Sequence, residues 1–312
     1  MDIKSKTAAL SVISNVTLVI IKLAVGLYIN SVSVISEAVH SASDLIAAMI
    51  AFFSVKAASK PADEEHKYGH GKFENIAATI EAILIFAAAA WIIYEAYNKF
   101  TEDLEVEFLL PGIIVMLISA AVNMLVSNRL YSVAKKTDSV ALEADALHLR
   151  TDVYTSGGIV LGLVAIQITG YHWLDPVFAI FVALLIIKAS IKLFKEAFLP
   201  LLDVKLPESE ETAIKEIIER HSAWFVDFHE LRTRKSGSER HIDLHLVVPK
   251  YHHVQDAYEM CNHIKTDILK IFPKAHVLIH LEPCECDETC EKGNECKKIQ
   301  NYELDNKDKK EF

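Results

Sequence analysis

Residues 27–55 read LYINSVSVISEAVHSASDLIAAMIAFFSV, an apolar run of membrane-crossing length with His40 and Asp44 in its middle. Ionisable groups are costly at bilayer depth and mark binding, pairing or transport there. His40 and Asp44 are four residues apart and so share one helix face. A second pair with this spacing, His148 and Asp152, lies in DALHLRTD.

Working outward, the chain has 312 residues, 52% of them hydrophobic, and a mean hydropathy of +0.24. Soluble proteins are typically about 45–50% apolar. The apolar residues concentrate before residue 203 and charge concentrates after it. The expected fold is an all-α membrane domain of six transmembrane helices, residues 1–204, followed by a small α+β domain, 205–283, and a flexible Cys-bearing tail, 284–312. The spans are expected at about 8–28, 32–57, 76–98, 108–130, 140–168 and 174–200. The fifth is the most polar, with Glu143, Asp145, His148, Arg150 and Asp152 in its first third. MDIKSK leads into the first span without a small-residue cleavage site, so that span is read as retained.

Loop charge sets the expected orientation. Lys4 and Lys6, then Lys56, Lys60, Lys67 and Lys72, then Arg129, Lys135 and Lys136 lie on one side. The opposite loop KFTEDLEVE is acidic apart from Lys99. Both termini and the second domain are therefore expected in the cytoplasm. A net charge of −10 argues against nucleic acid as a partner.

With that orientation the second span runs inward and the fifth outward, so both His/Asp pairs fall near mid-membrane. Together they offer two imidazole nitrogens and two carboxylate oxygens, a tetrahedral set suited to Zn²⁺. Without metal the histidines can take protons near neutral pH. The alternative is that such residues only hydrogen-bond between helices. Glu37, one turn before His40, either snorkels or lines an ion path. The loop PADEEHKYGHGKFE, 61–74, spaces Asp63, His66 and His70 as three ligands on a tight turn, with Gly69 and Gly71 letting the backbone bend. A merely polar loop is the other reading of that stretch.

The run from Ser33 to Asp44, the 61–74 loop and DALHLRTD together resemble the cation diffusion facilitators, a family of metal-ion/proton antiporters. The resemblance covers residues from about 10 to 283. It implies a transport site of His40, Asp44, His148 and Asp152, and a loop site of Asp63, His66 and His70. It also implies a charge interlock of Lys72 with Asp203 between the third and sixth spans, near a dimer axis. Two His with two Asp resembles the family's zinc-preferring type. The absence of a long His-rich stretch between the fourth and fifth spans suggests a prokaryotic inner membrane.

Past residue 205 the pattern becomes helix–strand–strand–helix–strand, with a helix over 208–222, strands over 225–234 and 240–248, a helix over 254–272 and a strand over 276–281. In HIDLHLVV, Ile242, Leu244 and Leu246 share one strand face, and His241, Asp243 and His245 the other. A polar face on a small sheet is ordinarily solvated, yet His229, His245, His280 and Glu282 are placed to converge. The domain resembles the metallochaperone-like cytoplasmic domain of the same family, which implies zinc at those four residues and a homodimer. Tyr258 stands where the family often has histidine; His252, His253 or His263 are candidate substitutes. Cys284, Cys286, Cys290 and Cys296 cluster as a candidate soft-metal site or belong to a disordered thiol-bearing tail, while Cys261 is expected to pack.

The expected function is export of cytoplasmic Zn²⁺ in exchange for external H⁺ across a lipid bilayer. Fe²⁺, Mn²⁺, Cd²⁺ or Co²⁺ are alternative cargoes, since ligand type ranks them weakly. A membrane-anchored zinc sensor is the rival from another class. A metalloprotease needs a run such as HExxH, which the chain lacks, so no enzyme is expected.

Overall fold

The computed structural model describes residues 2–28, 32–99, 110–169, 173–250 and 252–284. They form two compact units, the first ending at Leu202 and the second beginning at Asp203.

The first unit is a bundle of six helices: α1 (Ile3–Tyr28), α2 (Val32–Ala58), α3 (Lys72–Lys99), α4 (Leu110–Thr137), α5 (Val140–Thr169) and α6 (Leu174–Phe198), the last followed by a 3₁₀ turn, Leu199–Leu202. At 1.5 Å per residue each exceeds the roughly 30 Å of a hydrocarbon core. Among the described residues, four segments also meet a hydropathy threshold for crossing: Ile3–Tyr28, Ala38–Ala58, Lys72–Asn98 and Pro176–Leu202. Large apolar side chains such as Ile20, Trp91, Phe181 and Leu184 point outward. Alanines such as Ala48, Ala51, Ala78, Ala82 and Ala144 are buried between helices. Big apolar residues outside and small ones inside is the arrangement of a bundle solvated by lipid.

Several helices overrun the apolar spans expected from sequence. α1 begins at Ile3, α3 at Lys72, and α4 continues to Thr137. Nothing in these polar turns breaks a helix, and their side chains find partners. Lys4 Nζ donates to Glu74 Oε1 at 2.7 Å, and Ser139 Oγ donates to Glu74 Oε2 at 2.5 Å. Glu74 thus ties the first turns of α1 and α3 to the residue before α5. Asp138, at φ 53°, makes the sharp turn from α4 that brings Ser139 there.

In the second unit, α7 (Glu208–Glu219) and a 3₁₀ turn (Ser222–Trp224) precede β1 (Asp227–Ser236), β2 (Glu239–Val248), α8 (Val254–Ile271) and β3 (Ala275–Pro283). The sheet order is β1-β2-β3, with β1 antiparallel and β3 parallel to β2. Gly237, at φ 58°, opens the two-residue hairpin turn. α7 and α8 bury Ile214, Ile217, Ile218, Met260, Ile264 and Ile268 against Ile242, Leu244 and Leu246. Each such side chain contributes about 1.5–3 kcal/mol by burial. The opposite sheet face is left to the polar residues.

Candidate metal centres

In the first unit, His40 and Asp44 project from α2, and His148 and Asp152 from α5. His40 Nε2 lies 4.0 Å from Asp44 Oδ1 and 4.0 Å from Asp152 Oδ1. His148 Nε2 lies 3.2 Å from Asp44 Oδ1. Ligand atoms of His40, Asp44 and Asp152 all fall within 4.8 Å of one another, and His148 joins through Asp44. Asp152 Oδ2 is buried with no hydrogen-bond partner. At Zn–N and Zn–O bonds of about 2.0–2.1 Å, a tetrahedral edge is about 3.3 Å, so separations of 3.2 to 4.0 Å are near what one ion needs. The i, i+4 spacing on each helix produces this arrangement without any special backbone.

The sequence reading leaves out three charged groups near this set. Lys22 of α1 is buried and donates to Ser41 Oγ at 2.8 Å, next to His40 in the chain. Glu81 of α3 is completely buried. Asp145, noted from sequence only as a charge in the fifth span, is buried one turn before His148 and accepts from Ser11 Oγ at 3.1 Å. The available signal was a lone Lys in LVIIKLAVG and a lone Glu in IAATIEAILIF.

In the loop between α2 and α3, Asp63 Oδ1 accepts from the backbone N–H groups of Glu65 and His66 at 3.0 and 2.6 Å. Those donors, led by the His66 amide, hold the Asp63 carboxyl below its ordinary pKa. His66 Nδ1 is 3.3 Å from Oδ1, and His70 Nε2 is 3.2 Å from Oδ2. Gly69, at φ 77°, turns the chain so that the two rings stand 4.5 Å apart. All three ligand atoms lie within 4.8 Å of one another.

In the second unit, β-sheet register sets His229 opposite His245, and His245 opposite His280. Glu282 is the hub. Its Oε2 is 3.2 Å from His229 Nε2 and its Oε1 is 2.7 Å from His245 Nδ1. A register irregularity just past His229, where Glu230 takes φ 49°, bends β1 at this end of the sheet. The tight set is His229, His245 and Glu282. His280 stands outside it, exposed, with Nε2 4.0 Å from Glu282. Tyr258 is exposed on α8, His253 caps that helix by accepting from Gln255 N–H, and His263 packs edge-on against Trp224.

Cys261 is a half-buried free thiol against the second unit's core, and burial raises its pKa. Cys284 follows β3, with its N–H bonded to the Val248 carbonyl. It is disulfide-bonded. Cys286, Cys290 and Cys296 lie outside the described residues.

Comparison with known proteins agrees with this layout. The cation efflux transmembrane domain matches residues 8–202, and the cytoplasmic, dimerisation domain of cation efflux proteins matches 206–284. An uncharacterised transporter of Synechocystis sp. is 35% identical over 255 residues, covering 82% of each chain. The cation-efflux pump FieF of Yersinia pestis is 33% identical over 282 residues, covering 89% of this chain and 93% of its own. A solved structure of CzrB in its Zn form aligns with 27% of this chain and 98% of its own, at 28% identity and a TM-score of 0.26. A six-helix transmembrane domain with paired His and Asp on two helices, joined to a small α+β domain, therefore has a family: the chain belongs to the cation diffusion facilitators, the cation efflux transporters.

Proposed function

We propose that the chain is a homodimeric Zn²⁺/H⁺ antiporter of a prokaryotic inner membrane, with both termini cytoplasmic. The observation that supports it most is the approach of His40 to Asp44 and Asp152, and of His148 to Asp44, with Asp152 Oδ2 buried and without a hydrogen-bond partner. Two carboxylates balance the charge of a divalent cation, and two imidazoles favour a borderline ion over Mg²⁺ or Ca²⁺. Binding needs neutral imidazoles and ionised carboxylates, so metal and protons compete for the same atoms. Zn²⁺ entering from the cytoplasm displaces protons; helix movement exposes the site outward; external protons compete the metal off. Asp63, His66 and His70 take a second ion at the loop. His229, His245 and Glu282, with His280 alongside, take another in the cytoplasmic domain.

The test is Zn²⁺ uptake by inside-out proteoliposomes. It should rise with an acidic lumen, and gradient-independent uptake contradicts the scheme. Competition among Zn²⁺, Fe²⁺, Mn²⁺, Cd²⁺ and Co²⁺ in the same vesicles ranks the cargo. A sensor would bind zinc without flux.

A further inference from the structure

We propose that Glu81 and Asp145 form an additional divalent-cation site, on the cytoplasmic approach to the transport site. Glu81 projects from α3 into the packing with α5 and interacts electrostatically with Asp145 and His148. Its side chain is fully buried, and both carboxylate oxygens lack a hydrogen-bond partner. Asp145 is 1% exposed, and Ser11 satisfies only Oδ1, leaving Oδ2 without a partner. Three buried acceptor oxygens on two carboxylates thus have no hydrogen bond to a protein donor. Intramembrane carboxylates in this condition hold a cation or a proton. A divalent ion neutralises the pair in one step. Protons are the rival way of neutralising the pair, and the experiment below separates the two.

The position fits a staging role. Asp145 and His148 are three residues apart on α5, so they share a face about one turn apart. With α5 starting at the cytoplasm, an ion moving inward along that face reaches Asp145 first and His148 next. The ligands differ in kind: oxygen alone at the staging site, nitrogen and oxygen at the transport site. An oxygen set accepts hard and borderline divalent ions alike, so selection falls to the histidines deeper in. The direction of transfer rests on the antiport reading above, whereas the existence of the site does not.

The experiment is equilibrium dialysis of the full-length protein in nanodiscs against Zn²⁺, wild type beside Glu81→Gln and Glu81→Asp. Glu81→Gln should bind one fewer Zn²⁺ per protomer, and Glu81→Asp should regain that ion with weaker affinity. The loop and cytoplasmic sites report folding, because they stay loaded in a folded variant. Should Glu81→Gln misfold, Asp145→Asn carries the same expectation of one lost ion. Equal Zn²⁺ stoichiometry in wild type and Glu81→Gln overturns the site. So does an unchanged stoichiometry accompanied by one proton fewer released on metal binding, which would make the pair a proton site only. Flux does not enter this readout, so it stands apart from failure of the antiport reading, which Asp152 variants test.

Discussion

Replacing Lys4 with Met removes the ammonium that faces Glu74 at 2.7 Å, both side chains being at most 7% exposed. Taking one partner from a buried ion pair costs about 3–5 kcal/mol, mainly because the remaining charge is left uncompensated. Ser139 still donates to the other Glu74 oxygen, so the lower end, about 3 kcal/mol, is the expectation. For a unit of this size 1 kcal/mol shifts Tm by roughly 2–4 °C, so Lys4→Met should lower Tm by roughly 6–12 °C. Glu74→Gln removes the stranded charge and keeps an acceptor for Ser139. The double variant Lys4→Met/Glu74→Gln should therefore regain most of the loss, with a coupling of about 2 kcal/mol. Thermal unfolding in nanodiscs reads all four proteins. A Lys4→Met melt within about 2 °C of wild type, or a double variant whose loss is the sum of the singles, refutes the reasoning.

A Cβ on Gly158 would meet Val182 Cγ2 at 2.9 Å, whereas one on Gly157 would meet nothing within 4 Å. Gly158→Leu should thus force α5 from α6 and destabilise by about 1–3 kcal/mol, while Gly157→Ala should be neutral or stabilising by up to about 1 kcal/mol, both read by thermal unfolding. Glu282→Gln should release the cytoplasmic-domain metal, since both His229 and His245 face that carboxylate; the check is metal content per protomer, with loop-site metal retained. Asp267 is held below the ordinary carboxylate pKa by hydrogen bonds from Lys270 and then His221. A depressed pKa adds stability that is present above the unfolded value of about 3.9 and is lost as pH falls through the folded value. Asp267→Asn should accordingly flatten the acid limb of the cytoplasmic domain's stability profile, measured by acid titration of tryptophan fluorescence.

Much of this architecture is legible in sequence, because the lipid-facing requirement imposes long apolar runs and the sheet imposes alternation. The HIDLHLVV alternation, for example, places Leu244 in the core and His245 on the other face. The His/Asp pairs are legible because i, i+4 spacing alone puts two side chains on one helix face. What sequence hides is long-range. Lys4 and Glu74 are 70 residues apart, and neither carries a local signal of the other. Glu81 sits in a run so apolar that one charge barely alters its hydropathy, and its relation to Asp145 exists only once α3 packs on α5. The bend of β1 at Glu230 depends on a left-handed residue that is not glycine, for which spacing offers no warning. His280 looks equivalent to His245 in the pattern, yet the tight set closes on Glu282 without it.

The most direct test of the central claim is Zn²⁺ flux into inside-out proteoliposomes under imposed pH gradients, wild type beside Asp44→Asn and Asp152→Asn. The account predicts wild-type uptake that grows with lumenal acidity and collapses with a protonophore, and variant uptake at the level of protein-free vesicles. Zn²⁺ uptake indifferent to the gradient, or an Asp152→Asn protein transporting at the wild-type rate, would contradict it.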